Sequence, residues 1–276
     1  MAPTLARLAT ASLAAIAAVL AAAPAALAQA APGSGDDADL AKKLSNPVAA
    51  LISVPFQFNY NGGFFDGDGD QYYLNFQPVV PISLNDDWNL ISRTILPIYS
   101  QDGVIPGESQ TGFGTTTQSF FFSPKQPTKQ GLIWGVGPAF WIPTATDRNA
   151  SNQWGAGVTG VALLQKGQWT VGALANQLWS VTGNDEDGDI SQAFLQPFIS
   201  YTTRKATSYT LNTESTYDWE AEQWSVPINA TIGQVVKVGN QRLQLTGGLR
   251  YWADSPEYGP KDWGARFVVT FLFPKK

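Results

Sequence analysis

Cysteine and histidine are both missing from this 276-residue chain. Without cysteine there can be no disulfide framework, thiol nucleophile, thiolate metal site or lipid-modified N-terminal cysteine. Without histidine there can be no Ser-His-Asp triad, no imidazole metal ligand and no imidazole switch near neutral pH. No phosphate-binding loop or activated nucleophile stands in for them. The expectation is a chain that is not an enzyme and uses no cofactor or metal. Positive charge is also scarce. Seventeen Lys and Arg face 22 Asp and Glu, a net charge of −5 with a pI near 4.7, which argues against nucleic acid as a partner. A mean hydropathy of only −0.10 leaves no series of apolar helical spans in the bulk of the chain.

What is abundant points to β-structure. Twenty-six Gly, 15 Phe, ten Trp and nine Tyr describe a turn-rich, aromatic-rich, all-β protein. Ile52, Val54, Phe56, Phe58 and Tyr60 alternate with a set that includes Ser53, Gln57 and Asn59. Tyr72, Leu74, Phe76, Val80 and Ile82 likewise form one face, with Gln71, Tyr73, Asn75 and Gln77 on the other. A period of two with one apolar and one polar face is a strand. Twelve such segments can be traced, at 51–60, 70–83, 87–99, 112–123, 131–143, 153–165, 168–182, 190–202, 207–218, 223–236, 241–253 and 262–273. Alternation is mixed on both faces in the third and seventh. Segments near 10 residues, each ended by a turn, fit the strands of a membrane barrel, whereas globular sheets use strands of about 5–6 residues. The alternative is a soluble sandwich or lectin-like fold, whose tryptophans would be core or sugar-stacking. The connections alternate between short turns, such as Asn85-Asp86 and Lys166-Gly167, and longer or more acidic loops at 61–69, 101–111, 144–152, 183–189, 219–222 and 254–261. That is the alternation of periplasmic turns and extracellular loops. Trp88, Trp141, Trp154, Trp169, Trp179, Trp219, Trp224, Trp252 and Trp263 fall near strand ends, where amphipathic rings settle at a bilayer interface.

The first 30 residues carry one positive residue, Arg7, then an apolar run from Leu8 to Ala23, Pro24, and small-x-small sites ending at Ala28 and at Ala30. This is the layout of a cleaved secretory signal. Its loss would remove one basic and no acidic residue, moving the balance from −5 to −6. The expected organisation is a signal peptide at 1–30, a flexible or short-helical periplasmic segment at 31–50, and an outer-membrane β-barrel at 51–273.

LAKKLSNPVAALISVPFQFNY, from Leu40 to Tyr60, and NFQPVVPISLNDDWNLISRTILPI, from Asn75 to Ile98, resemble a family of Gram-negative outer-membrane barrels. That family is labelled as transporters, grouped near the barrels of the MetA pathway of phenol degradation, and mislabelled "neuromedin U". The resemblance is strongest over 40–99, through Asn46-Pro47, Pro55-Phe56 and Asp87-Trp88-Asn89-Leu90, and beyond that rests on strand rhythm and the Phe-rich last strand. It implies an outer-membrane localisation and a role in solute passage, and brings no catalytic residues. One departure is that Pro274, Lys275 and Lys276 follow Phe273, where outer-membrane strands commonly end the chain on Phe.

The face opposite the lipid gives the lumen candidates: Arg242 and Arg250 in the eleventh strand, Arg266 in the twelfth, Glu214 and Asp218 in the ninth, and Tyr73, Gln77 and Gln196. With the 254–261 loop centred near Glu257 and Tyr258, Arg250 and Arg266 fall opposite each other and repel unless compensated. Glu214 and Asp218, roughly 10 Å off at the usual ~4.8 Å strand spacing, could supply the compensation. Such a set is either a charged constriction that filters polar or anionic solutes or a network that fills a small lumen. Tyr73, Phe194 and Phe198, with Phe120 and Phe122 as further candidates, could form an aromatic slide or a plug. The Asp66-x-Asp68-x-Asp70 and Asp185-x-Asp187-x-Asp189 runs lack the Gly and Glu of a calcium loop and read as solvated acidic loops. The function expected is passive passage of small solutes, aromatic or amphiphilic ones among them. The alternative is a plugged structural barrel with acidic surface loops. The expected partners are outer-membrane lipid, lipopolysaccharide, a small solute and the barrel-insertion machinery.

Overall fold

The computed structural model describes residues 35–67, 69–146, 153–182 and 188–274. The signal peptide expected at 1–30 lies outside the described residues, as do Asp68, Asp185 and Asp187. The chain opens with helix α1 (Gly35–Leu44) and continues as β1 (Ile52–Phe64), a 3-10 turn (Phe65–Gly67), β2 (Gly69–Phe76), β3 (Val79–Ser83), β4 (Trp88–Ile105), β5 (Glu108–Phe113) and β6 (Thr116–Pro124). It then runs through β7 (Leu132–Ile142), β8 (Gly155–Lys166), β9 (Trp169–Ser180), β10 (Ser191–Thr202), β11 (Thr207–Thr213), β12 (Ser215–Asp218), β13 (Gln223–Val238), β14 (Gln241–Asp254) and β15 (Trp263–Phe273).

Three pairs are halves of one span. β2 and β3 part at Gln77-Pro78, β5 and β6 at Gly114-Thr115, and β11 and β12 at Glu214. Twelve antiparallel spans therefore make up the described sheet, each bonded to the next in sequence. The ring closes where β1 pairs with β15, from Ile52 opposite Phe273 to Asn61 opposite Gly264. Closure leaves no free sheet edge, the condition a sheet must meet in hydrocarbon. The short turns depend on residues that accept a positive φ, Gly167 (58°) and Gly239 (61°) among them, which glycine adopts without a Cβ clash.

Alternation orients each wall. Ile52, Val54, Phe56, Phe58 and Tyr60 of β1 face out, and Phe56 and Phe58 meet Phe271 and Phe267 of β15 across the seam at ring distances of 5.9 and 6.5 Å. Val158, Leu195, Leu211, Ile232 and Leu249 are exposed on the outer wall, so the lipid face is apolar. Trp154, Trp169, Trp179, Trp219, Trp224 and Trp263 are 41–62% exposed near strand ends. Trp252 departs from the expected belt, because its position has the inward parity. Phe120 and Phe122 also depart from expectation. Register pairs Phe121, not its neighbours, with the inward Ile91, so Phe121 is fully buried while Phe122 is 43% exposed outside. Two connections are more ordered than a loop reading implies. β1 extends to Phe64, and most of 101–111 is a β4–β5 hairpin.

α1 is not a free segment beside the barrel. Leu40 and Ala41 are buried against Leu51, Ala206, Val235 and Leu272 inside the short-turn end. Asp37 pairs with Arg242 of β14 on one side of the lumen. On the other side, Gln165 Nε2 of β8 donates to the Lys42 carbonyl at 3.0 Å, and Ser45 Oγ lies 2.8 Å from Thr170 Oγ1 of β9. The helix thus crosses the bore. Beyond it Val48 fills a second cluster with Ile91, Phe121, Val161, Leu163 and Leu174.

Candidate functional site

The polar centre of the lumen is built around one carboxylate. Glu214 sits between β11 and β12, its N–H still donating to the Pro227 carbonyl at 3.3 Å, and alternation turns it inward with Asn212. Arg266 Nη1 and Nη2 donate to Glu214 Oε1 and Oε2 at 2.7 and 2.6 Å, a two-pronged pair. Arg250 Nη2 donates to Glu214 Oε2 at 2.8 Å. The two arginines are only 1% and 5% exposed, so their remaining donors need partners. Arg250 Nε donates to Asn229 Oδ1 at 2.8 Å and Arg266 Nε to Asn59 Oδ1 at 2.8 Å. Arg250 Nη1 donates to the Tyr73 hydroxyl and, at 3.4 Å, to Asn61 Oδ1. Its guanidinium also lies 5.6 Å from the Trp252 ring, whose Nε1 donates to Asn61 Oδ1 at 3.2 Å. This inward bond is why Trp252 is absent from the lipid belt.

The network draws on six of the twelve spans, yet the expected direct opposition of Arg250 and Arg266 is corrected. Arg250 pairs with Gly264 and Arg266 with Gly248, so the cations are diagonal neighbours and glycine leaves each room to swing toward Glu214. Asp218 does not join them. Its Oδ1 accepts from the Glu220 and Ala221 amides and its Oδ2 from Gln192 Nε2, so it holds the β12–β13 turn. Arg242 lies at the other end of the bore with Asp37, 2.7 Å away. Tyr73 belongs to the network, and Gln77 and Gln196 line the space between the network and the helix.

That space is a cavity of about 280 Å³, roofed by the 43–51 strap and floored by the arginine side. It contains a residue that inspection of the sequence passes over. Arg93 of β4 lines it, opposite Val79 in register. The signal was available: a lone arginine in a barrel strand is driven to the lumen by the cost of facing lipid. Among the described residues no cluster of acidic groups is arranged to hold a metal ion. Asp70 of the first acidic run instead accepts from the Tyr60 hydroxyl at 2.6 Å.

No protein-family model and no curated protein matches this chain. Solved structures do. An outer membrane channel from Pseudomonas putida F1 aligns at a TM-score of 0.60 and 14% identity, over 81% of this chain and 94% of that one. The KdgM porin in complex with disordered oligogalacturonate aligns at 0.45 and 8%, over 82% and 100%. Outer membrane phospholipase A from Escherichia coli aligns at 0.46 and 8%, over 82% and 98%. The last of these overturns the expectation that the chain is not an enzyme, because matches to this barrel include one; a likeness that distant assigns no activity here. What the alignments share is architecture. The chain has the fold of a Gram-negative outer-membrane β-barrel, and its apolar outer wall fits it to that membrane.

Proposed function

We propose that the protein is a porin-like outer-membrane channel or transporter for small solutes, with a lumen narrowed by the Glu214 network and stoppered at the short-turn end by α1. The finer placement, among the barrels labelled as transporters and grouped near those of phenol degradation, belongs to the same reading and rests on the motifs of 40–99. The observation that carries it is the lumen itself. A barrel serving only as a wall has no need for a cavity of mixed polar and apolar lining between the 43–51 strap and the Glu214 network, since side chains alone can fill a small bore. Solute passes when α1 yields, and the contacts that hold it are of a kind that can break: the Asp37–Arg242 ion pair, hydrogen bonds linking the Lys42 carbonyl and Ser45 to β8 and β9, and an apolar contact at Leu40 and Ala41. Outer-membrane lipid, lipopolysaccharide and the barrel-insertion machinery are its partners on this reading.

α1 and the ionic network also favour the second reading, a plugged structural barrel. Single-channel recording in planar bilayers separates the two. Stable conducting events from the full chain, more frequent when the Asp37–Arg242 tether is cut, support the channel. Silence from both proteins sinks it.

A further inference from the structure

We infer that the cavity between the 43–51 strap and the arginine network is a binding site for a small monocarboxylate with a compact apolar body, whose carboxylate pairs with Arg93. The inference deepens the channel reading by naming its solute class.

The charge count comes first. Arg93, Arg250 and Arg266 surround the bore, and Glu214 is the carboxylate that faces them. Arg250 and Arg266 take up its oxygens through three hydrogen bonds. Arg93 feels Glu214 only through space, and among the described residues no ion pair forms on its guanidinium. The cavity lining adds Lys43, so its charged side chains are Lys43, Arg93 and Arg266, all cationic. A guanidinium that faces a cavity with no carboxylate on its fork is a carboxylate receptor, since planar N–H pairs match the two oxygens of the anion.

The α1 C-terminus could have cancelled this field, but its last carbonyls are engaged. Ser45 N donates to Lys42 O and Asn46 N to Lys43 O, and Gln165 Nε2 also bonds Lys42 O. Gln57, Gln77 and Gln196 around the cavity offer neutral donors for a second oxygen. The rest of the wall is mixed: Pro47, Leu51, Pro55, Val79 and Val268 form an apolar part, and Ser53, Asn212, Gln244 and Thr246 a polar one. At about 280 Å³ the space admits a ring or a short chain and excludes an oligosaccharide. A purely hydrophilic anion would leave the apolar part of the wall wet, and an uncharged apolar molecule would leave Arg93 without a partner.

Titration of the folded full chain in detergent micelles with benzoate, and with the isosteric but neutral benzamide, tests the inference calorimetrically. The expected result is saturable binding of benzoate near one per chain, with benzamide at least about tenfold weaker. Arg93→Gln should lose about tenfold in benzoate affinity, the value of one charged pair, while Arg93→Lys, which keeps the charge but not the planar fork, falls between the parent and Arg93→Gln. Heat-modifiable migration on a gel reports whether each variant has folded; if Arg93→Gln has not, the benzoate/benzamide ratio and Arg93→Lys decide. Equal binding of the two probes, no binding of either, or an Arg93→Gln variant that binds like the parent overturns the inference. A channel that conducts while benzoate fails to discriminate retains the channel and removes this site. Benzoate binding by a barrel that never conducts does the reverse.

Discussion

Replacing Glu214 by Gln isolates the electrostatics of the lumen from its shape. The carboxylate accepts three hydrogen bonds from two guanidinium groups at 2.6–2.8 Å. A carboxamide has one oxygen and one NH2, and the NH2 must face an arginine donor, so at least one bond is lost. The larger loss is charge. Arg250 and Arg266, at 1% and 5% exposure, would remain as adjacent cations with only Asn, Tyr and ring contacts. Leaving a buried ion without its partner costs about 3–5 kcal/mol. The neighbouring cavity of about 280 Å³ can admit water, which places the expected cost near the low end, about 3 kcal/mol. Urea titration of the folded barrel in micelles, followed by tryptophan fluorescence, reads this directly. With a slope of roughly 3 kcal/mol per molar, as larger chains show, the midpoint should fall by about 1 M. Charge, rather than packing, makes a second demand: removing one cation as well, in Glu214→Gln/Arg266→Gln, should restore at least about 1 kcal/mol relative to the single variant. A single variant within about 1 kcal/mol of the parent, or a double variant no better than the single, would refute the reasoning.

Three further outcomes follow from other parts of the fold. Asp37→Asn removes a tether whose side chains are 14% and 27% exposed; a loss of about 1 kcal/mol should raise the frequency of conducting events roughly fivefold, with barrel stability in urea unchanged. Ile232→Arg, near the middle of β13 and 52% exposed on the outer wall, should cost about 2–4 kcal/mol in lipid vesicles, read from the unfolding midpoint; a neutral effect would mean that this wall does not face hydrocarbon. Gly157→Ala would put a Cβ 1.9 Å from the Gln177 carbonyl oxygen, so the β8–β9 ladder must shift, and a loss of about 1–3 kcal/mol is expected in the same titration.

Period-two alternation made the spans and their inward faces readable from sequence, and its failures are informative. The two segments with mixed faces correspond to β4 and β9. Both carry large apolar residues inward, Ile91 on β4 and Leu174 with Leu178 on β9, and Ile91 and Leu174 pack in the cluster around Val48. A lumen holding water would have kept these positions polar. A lumen holding an apolar strap reverses them, and the strand then looks hydrophobic on both sides. Mixed alternation in a barrel strand is therefore a signature of a greasy plug. The plug itself could not be seen in its own sequence, because α1 carries few apolar residues and their partners, Leu51, Ala206, Val235 and Leu272, are scattered along the chain.

The same mixing hid Arg93, whose inward neighbours are apolar, while the arginines of clean strands stood out. It also separates what sequence spacing can and cannot supply about the charge network. Parity brought Arg250, Arg266 and Glu214 to one surface, but adding strand spacings put Glu214 roughly 10 Å from its partners. The actual contacts are under 3 Å. Two features absent from a flat-sheet estimate close the gap. Barrel curvature turns the inner faces of separated strands toward each other, and the long arginine side chains reach across the bore to Glu214. Glycine opposite each arginine, Gly264 and Gly248, removes the side chain that would have blocked the swing. Small residues facing long charged ones on the inner wall thus mark where a barrel gathers charge from several strands, and on the channel reading they mark the layer that a solute must pass.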